Sequence, residues 1–380
     1  MPPSWHSHRI SSRRGLTELK DFIPAVSLFS GAGGLDFGAR RSGFRTMVAI
    51  DSDPIACSTL KSNKLVPGDI LAQDICSVDP LDLLRRLKMK RGSLPLLFGG
   101  PPCQSFSKAA YWTSRGDEAD RRRQRDGIRH KTKRVAGARQ RNPRGDARTL
   151  LLGEFLRILH GLMPKQFLLE NVASLSHPSN RQFLESFLRD ASAIGYHVEW
   201  FRLNAMDFGV PQRRDRLFIV GSSEGSPAGR PRLPTRTGEL SVRDFIGPYK
   251  SKKYFEPEEA VTGRWATALS EVPPGMNYKA LTAWAHHPSP RFIAEQRFWN
   301  FLLKLHPQRP SWTLAANPGP WVGPFHWTNR RLRIPEMAAI QTFPDGYVFE
   351  GSRRDKVRQI GNAVPPELAK VVMRGLARNA

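Results

Sequence analysis

Cysteine is scarce in this chain: 380 residues carry three, Cys57, Cys76 and Cys103, an odd set with no C-x-x-C spacing. That excludes a disulfide framework and gives no zinc-site pattern, so no metal is expected and a reducing compartment fits. Cys57 and Cys76 read as small buried hydrophobes, the usual state of a lone thiol. Also lacking is an apolar run of membrane-spanning length, and the opening MPPSWHSHRISSRRG has no continuous apolar segment. The expectation is a protein of the cytoplasm with no membrane partner. Acidic side chains are few as well: 34 Asp and Glu stand against 59 Lys and Arg, giving a net charge of +25. A charge of that size repels itself and calls for an acidic partner, for which nucleic acid leads over a merely solubilising basic surface.

What is present is a regular alternation. From Ile23 to Val220 short apolar runs alternate with amphipathic stretches, the pattern of βα units around a mostly parallel sheet. The fold class is therefore α/β, doubly wound and Rossmann-like. Strands are expected near Ala25 to Phe29, Thr46 to Ile50, Pro95 to Phe98, Gln166 to Leu169, His197 to Leu203 and Leu217 to Val220. Helical spacing of apolar residues marks Leu150 to Leu162, Asn180 to Ile194, Ile334 to Ile340 and Pro366 to Leu376. Two regions break the pattern. Residues 105–148 carry little apolar periodicity but many Arg and Lys, which predicts a mobile basic loop. Residues 222–328 are interrupted throughout by Pro and Gly and hold Trp265, Trp284, Trp299, Trp312, Trp321 and Trp327, most of which are expected to form a small core. The reading divides the chain into an extension (1–22), a main domain (23–221), a smaller domain (222–328) and a return to the main domain (329–380).

Five segments carry chemistry. Ser27 to Leu35 (SLFSGAGGL) places glycines after a strand and before a helix, where a cofactor can approach the backbone; Asp51, ending the next strand, can hold ribose hydroxyls. The dinucleotide fingerprint G-x-G-x-x-G is not met, because Asp36 stands where its third glycine belongs, so NAD is disfavoured. Phe98 to Ser107 (FGGPPCQSFS) stiffens the approach to Cys103 with two prolines and sets that thiol at a ligand-facing strand end, as a nucleophile requires. Phe167 to Val172 (FLLENV) is an apolar strand ending in Glu170, which on its own fits a solvated cap as well. Phe208 to Leu217 (FGVPQRRDRL) alternates basic residues into a strand, and Gln359 to Pro366 (QIGNAVPP) opens the last helix.

In this order the segments resemble the DNA (cytosine-5) methyltransferase family from about Ala25 to Val372, and Arg330 through Glu336 to Phe343-Pro344 matches a further family motif. The resemblance implies an enzyme that takes a methyl group from S-adenosylmethionine, leaving S-adenosylhomocysteine, and puts it on carbon 5 of a cytosine turned out of double-stranded DNA. It implies Cys103 as the nucleophile that adds to carbon 6, Glu170 as the group at N3 and the exocyclic amine, and Arg216 near O2 with Arg214 alongside. It further implies a cofactor site of Phe29, Gly31, Gly33, Gly34, Leu35, Asp51, Ser52, Asp74, Ile75, Pro101, Asn362 and Val364, with Asp53 as a helper for Asp51, which stands where the family usually has glutamate. DNA contacts are expected from Gln104, Ser105, Ser107, Arg121, Arg122, Arg123, Arg213 and Thr313, and target recognition from 222–328. The architecture suits a monomeric, nucleoid-associated modification enzyme with a restriction endonuclease acting separately. Two alternatives stand beside it: a transfer-RNA cytosine-5 methyltransferase of the same fold, and a DNA-binding regulator without catalysis. An amino-group DNA methyltransferase is excluded, since it needs Asp or Asn where Cys103 follows the prolines.

Overall fold

Apolar runs bounded by glycine and proline become strands, and the computed structural model describes residues 22–102, 147–225, 227, 231, 240–295 and 297–378. In chain order these give β1 (Ile23–Leu28), α1 (Gly34–Arg40), β2 (Phe44–Asp51), α2 (Pro54–Ser62), β3 (Asp69–Ala72), α3 (Pro80–Leu87) and β4 (Leu96–Gly99). There follow α4 (Ala147–Leu162), β5 (Gln166–Val172), α5 (Arg181–Ala193), β6 (His197–Asn204), β7 (Gln212–Arg213) and β8 (Asp215–Ser222). The remainder holds α6 (Val242–Ile246), α7 (Ala266–Glu271), β9 (Ser311–Trp312), α8 (Ile334–Ile340), α9 (Arg353–Asn362) and α10 (Pro366–Ala377). Seven strands form one sheet in the order β3-β2-β1-β4-β5-β8-β6. β3, β2, β1, β4 and β5 run parallel, while β8 is antiparallel to both β5 and β6.

The sheet is buried on both faces, which is why its central strands read as unbroken apolar runs. Side chains alternate between two cores. Leu97, Phe167 and Leu169 face a cluster closed by Phe155, Ile158 and Leu159 of α4 and Leu184 and Phe187 of α5. Leu96, Phe98 and Leu168 face a second cluster closed by Leu35 and Ala39 of α1 and by Leu368, Val372 and Met373 of α10. The chain's return is thus part of the main core. Gly38 permits it, since a Cβ there would lie 2.4 Å from Ala369.

The expected doubly wound sheet is present, with strand ends displaced by a few residues. β3 escaped the sequence reading because it is a short, half-exposed edge strand. So did α9, whose sequence RRDKVRQIGN is mostly polar and which starts from a capping box between Ser352 and Asp355. One thiol assignment needs correcting. Cys57 is buried, but Cys76 is exposed: it lies in the turn Ile75–Ser77, which spends its inward position on Ile75.

Residues 240–328 are organised differently. Tyr278, Leu281, Phe301, Leu302 and Phe325 form a local core with Trp265, Phe292 and Trp321 packed against it. Val242, Ile246, Leu305 and Leu314 instead share a cluster with Leu332, Met337, Ile340 and Ile360 of the return segment. Tryptophan supplies less of this core than expected. Trp265, Trp321 and Trp327 are partly buried against the clusters, whereas Trp284 and Trp299 are 72% and 49% exposed. The centre is filled instead by Tyr and Phe rings meeting edge to face.

Candidate active site

Parallel pairing brings the carboxyl ends of the strands to one edge. Leu28 is opposite both Ile50 and Gly99, Asp51 opposite Ala72, and Gly99 opposite Leu169. The turns after β1, β2, β3, β4 and β5 therefore line a single crevice, where an open α/β sheet binds its ligands.

At the β1 end the backbone is unusual. Phe29 (φ 53), Gly31 (φ 53) and Gly33 (φ 77) are all left-handed, which an aromatic residue adopts at a cost. Nothing lies within 4 Å of a Cβ placed on Gly31, so the backbone there is open to a ligand. The Asp51 carboxylate accepts from Gly31 N at 2.7 Å and from Asp53 N at 2.8 Å. Burial raises its proton affinity, against those two amides that lower it. Gly34 touches the C-terminal motif: a Cβ there would be 2.2 Å from the carbonyl oxygen of Val364, and Leu35 shares a cluster with Val364. Asn362 and Ser52 are exposed beside them. Asp74 accepts from Cys76 N at 3.0 Å, fixing the turn that buries Ile75. The expected helper Asp53 is already engaged, capping α2 at Ile55 N (3.0 Å) and pairing with Arg358 at 2.7 Å. Open glycine backbone and a carboxylate at the β2 end together suit a nucleoside cofactor carrying a ribose diol.

At the β4–β5 end a carboxylate and a guanidinium meet. Arg216 Nε lies 2.8 Å from Glu170 Oε1, and both side chains are about nine-tenths buried, at 11% and 10% exposure. The antiparallel register explains it: Glu170 pairs with Phe218 and Val172 with Arg216, so Glu170 and Arg216 are diagonal neighbours on one face. Burial pushes the Glu170 carboxyl up, and Arg216 and then Arg214 oppose that. The described start of the segment toward Cys103 packs against Glu170 and its neighbour Asn171. A Cβ on Gly100 would be 2.9 Å from Glu170 Oε2, and Asn171 Nδ2 donates to the buried Pro101's carbonyl at 3.4 Å. Gly100 and Asn171 were given no role from sequence; the Gly99-Gly100 doublet and an amide inside a buried strand were the available signals. Cys103, Gln104, Ser105, Ser107, Arg121, Arg122 and Arg123 lie outside the described residues, as does the predicted basic loop except for Ala147 and Arg148, whose backbone belongs to α4.

Arg214 is fully buried, and its guanidinium spans three segments. Nη2 donates to the carbonyls of Gly361 (2.6 Å) and Ala363 (2.9 Å), and Nη1 to that of Leu314 (3.3 Å), while Nε finds no partner among the described residues. Arg213 and Thr313 are joined through the parallel pair β7–β9, with the Thr313 hydroxyl donating to the Arg213 carbonyl at 2.7 Å. Among the described residues no cluster of His, Cys, Asp and Glu could hold a metal ion, and no helix is long and apolar enough to cross a membrane.

The chain is similar to known proteins along most of its length. The chain matches the family described as C-5 cytosine-specific DNA methylase over residues 23–125 and 135–378. It is 36% identical over 389 residues to the Type II methyltransferase M.SacI of Streptomyces achromogenes, covering 93% of this chain and 92% of that protein. It is 30% identical over 366 residues to the Type II methyltransferase M.FnuDI of Fusobacterium nucleatum, covering 91% and 92%. Among solved structures, the Entamoeba histolytica methyltransferase EhMeth superposes with a TM-score of 0.58 at 14% identity, covering 95% of this chain and 99% of that one. The S. pombe Dnmt2 methyltransferase superposes with a TM-score of 0.55 at 16% identity, covering 94% and 97%; both likenesses concern the fold.

Proposed function

This chain belongs to the C-5 cytosine-specific DNA methylase family, and from that premise we propose how its residues divide the work of methylating cytosine in DNA. It is a DNA cytosine-5 methyltransferase, and its family uses S-adenosylmethionine. When bound, that cofactor supplies an electrophilic sulfonium methyl group and leaves as S-adenosylhomocysteine. The residues that would hold it are Phe29, Gly31, Gly33, Gly34 and Leu35 at the β1 turn, Asp51 and Ser52 after β2, Asp74 and Ile75 after β3, and Pro101, Asn362 and Val364. Asp51 is the group for the ribose hydroxyls.

Carbon 5 of cytosine is too weak a nucleophile to take the methyl unaided. The Cys103 thiolate adds to carbon 6, and the ring electrons shift toward carbon 5. Glu170 meets N3 and the exocyclic amine; its raised proton affinity suits it to share a proton with N3 as charge builds there. Arg216, oriented by Glu170, stands near O2. After transfer, a water molecule takes the proton from carbon 5, and the electron pair of that bond re-forms the C5–C6 double bond as the thiolate leaves carbon 6. Arg214 is a positioning residue: it ties the strand bearing Arg216 to the C-terminal motif. The single observation carrying this reading is the nearly buried Glu170–Arg216 pair beside the Gly100–Pro102 approach to Cys103.

The base must leave the stack first, at a cost of a few kcal/mol. Residues 105–148, with Arg121, Arg122 and Arg123, are proposed to close on the DNA, with Gln104, Ser105, Ser107, Arg213 and Thr313 as further contacts. Residues 222–328 are proposed to recognise the target. Relatives named Type II methyltransferases support a modification enzyme; that it acts as a monomer in the cytoplasm, with a restriction endonuclease acting separately, is part of the proposal. Retention of Cys103, Glu170, Arg216 and the cofactor glycines together favours catalysis over the silent reading, and the sizeable recognition segment 222–328 favours duplex DNA over transfer RNA.

The test begins with bisulfite sequencing of DNA from cells expressing the chain, which gives the target. A duplex bearing 5-fluorocytosine at that position should then trap the enzyme covalently in the presence of cofactor, because the fluorine blocks loss from carbon 5. Cys103→Ser should abolish both trapping and methylation. Methylation by that variant at the wild-type level would show that another group is the nucleophile.

A further inference from the structure

Beside the strand that carries Arg216 lies the short β7–β9 ribbon. On the β7–β9 ribbon Arg213 stands opposite Trp312, and its guanidinium carbon lies 5.2 Å from the centre of the Trp312 ring. The Trp299 ring meets Trp312 nearly edge-on, with centroids 4.5 Å apart and planes at 75°. Trp299 keeps 49% of its surface exposed. Its backbone is nevertheless fixed, because the buried Asn277 donates its side-chain amide to the Trp299 carbonyl at 2.6 Å. A half-exposed indole held at ring and backbone presents a rigid apolar face at little further entropic cost.

Its place matters. Arg213 is three residues from Arg216, so their Cα atoms are at most about 11 Å apart. The indoles thus flank the segment that leads into the strand of Arg216, on a chain of net charge +25 with the exposed Arg297 two residues from Trp299. Cationic surroundings attract DNA, and an aromatic face accepts any base, because each base has a π-face.

We propose that Trp299, braced by Trp312, is the stacking platform for the base adjacent to the position that the everted cytosine vacates. Eversion exposes a face of that neighbour to water, and the indole covers it, returning part of the unstacking cost. Trp312 acts through Trp299 as a positioning residue. The proposal rests on the methyltransferase reading above and adds to it the protein surface that stabilises the everted state.

The experiment compares wild type with Trp299→Ala and Trp299→Phe on two duplexes carrying the target sequence, one fully paired and one with a mismatch opposite the target cytosine. A third duplex carries 2-aminopurine, paired with thymine, at the target position; its fluorescence rises on unstacking. Trp299→Ala should slow methylation of the paired duplex by about 5- to 150-fold, the equivalent of a stacking interaction of ~1–3 kcal/mol. Trp299→Phe should keep most of the rate. The mismatch lowers the cost of eversion and should restore most of the Trp299→Ala rate, while 2-aminopurine emission with that variant falls on the matched site. Wild-type rates from Trp299→Ala on the paired duplex, an equal deficit on both duplexes, or unchanged 2-aminopurine emission would each overturn the proposal. A wild-type protein inactive on both duplexes would overturn the activity itself, and this proposal with it.

Discussion

In residues 23–222 the candidate functional side chains stand at strand ends, and sheet register sets their neighbours. Among the described residues 240–328 the longest helix is the six-residue α7, and the one strand, β9, has two residues. That second region is held by edge-to-face rings around Tyr278 and by buried ion pairs such as Arg333 with Glu259, which span it and the return segment. The difference follows from the tasks. Chemistry needs a few groups within a fraction of an ångström, and a two-sided sheet supplies that rigidity. Reading a DNA surface needs exposed side chains on a scaffold that tolerates change, and irregular loops supply that. If this division is right, damage to the two regions should separate into different assays.

The largest effect belongs to the sheet. Glu170→Gln keeps the size of the side chain and an oxygen for Arg216, but removes the carboxylate. Methylation of the target duplex should fall by about 10²- to 10⁴-fold, with cofactor binding unchanged by calorimetry. A rate within tenfold of wild type would mean that the base is activated by something other than this carboxyl group.

An intermediate effect tests the other region. Tyr278 is fully buried, and its hydroxyl donates to the Arg297 carbonyl at 3.0 Å. Tyr278→Ala should cost about 3–5 kcal/mol of local stability. DNA binding, followed by fluorescence anisotropy, should weaken at least tenfold, while cofactor affinity stays within about twofold. Parallel loss of cofactor affinity would show one cooperative unit and break the comparison. The shared cluster of Ile246 and Leu314 with Met337 and Ile360 is the route by which that could happen.

The same contrast decides what could be read from sequence. The place of Glu170 was legible because it closes the unbroken apolar run of its strand, while its role and that of Cys103 rest on the resemblance of short motifs. The sheet was legible because buried parallel strands are unbroken apolar runs. The clamp made by Arg214 was not: in sequence it is one basic residue among several, and the carbonyls it binds come from Leu314, Gly361 and Ala363, at least 100 residues away. Nor was the core of the small region, since Tyr278, Phe301 and Phe325 follow no helical or strand period. Exposure of Trp299 and Cys76 likewise depends on which neighbour takes the inward position, a tertiary fact.

The smallest effect concerns a buried charge in each region. Asp36 of α1 is buried beneath the glycine turn and accepts hydrogen bonds from Ser27 (3.2 Å) and Thr46 (3.0 Å). Burial raises its pKa from 3.8 to about 6, against those hydrogen bonds, so the folded protein holds this proton more tightly than the unfolded chain. Its contribution to stability is therefore complete below about pH 4 and is lost as pH rises through about 6, a difference of about 3 kcal/mol. Lys304 in the small region has the opposite sign. Burial lowers its pKa from 10.5 to about 8, so stability rises with pH between those values. Asp36→Asn cannot ionise, and thermal melts at pH 4.5 and 7.5 should show the variant gaining on wild type by about 1–3 kcal/mol between the two. A gap that stays constant from pH 4.5 to 7.5 would mean that Asp36 remains charged beneath the turn, and that the sheet region tolerates a buried carboxylate with no balancing cation among the described residues.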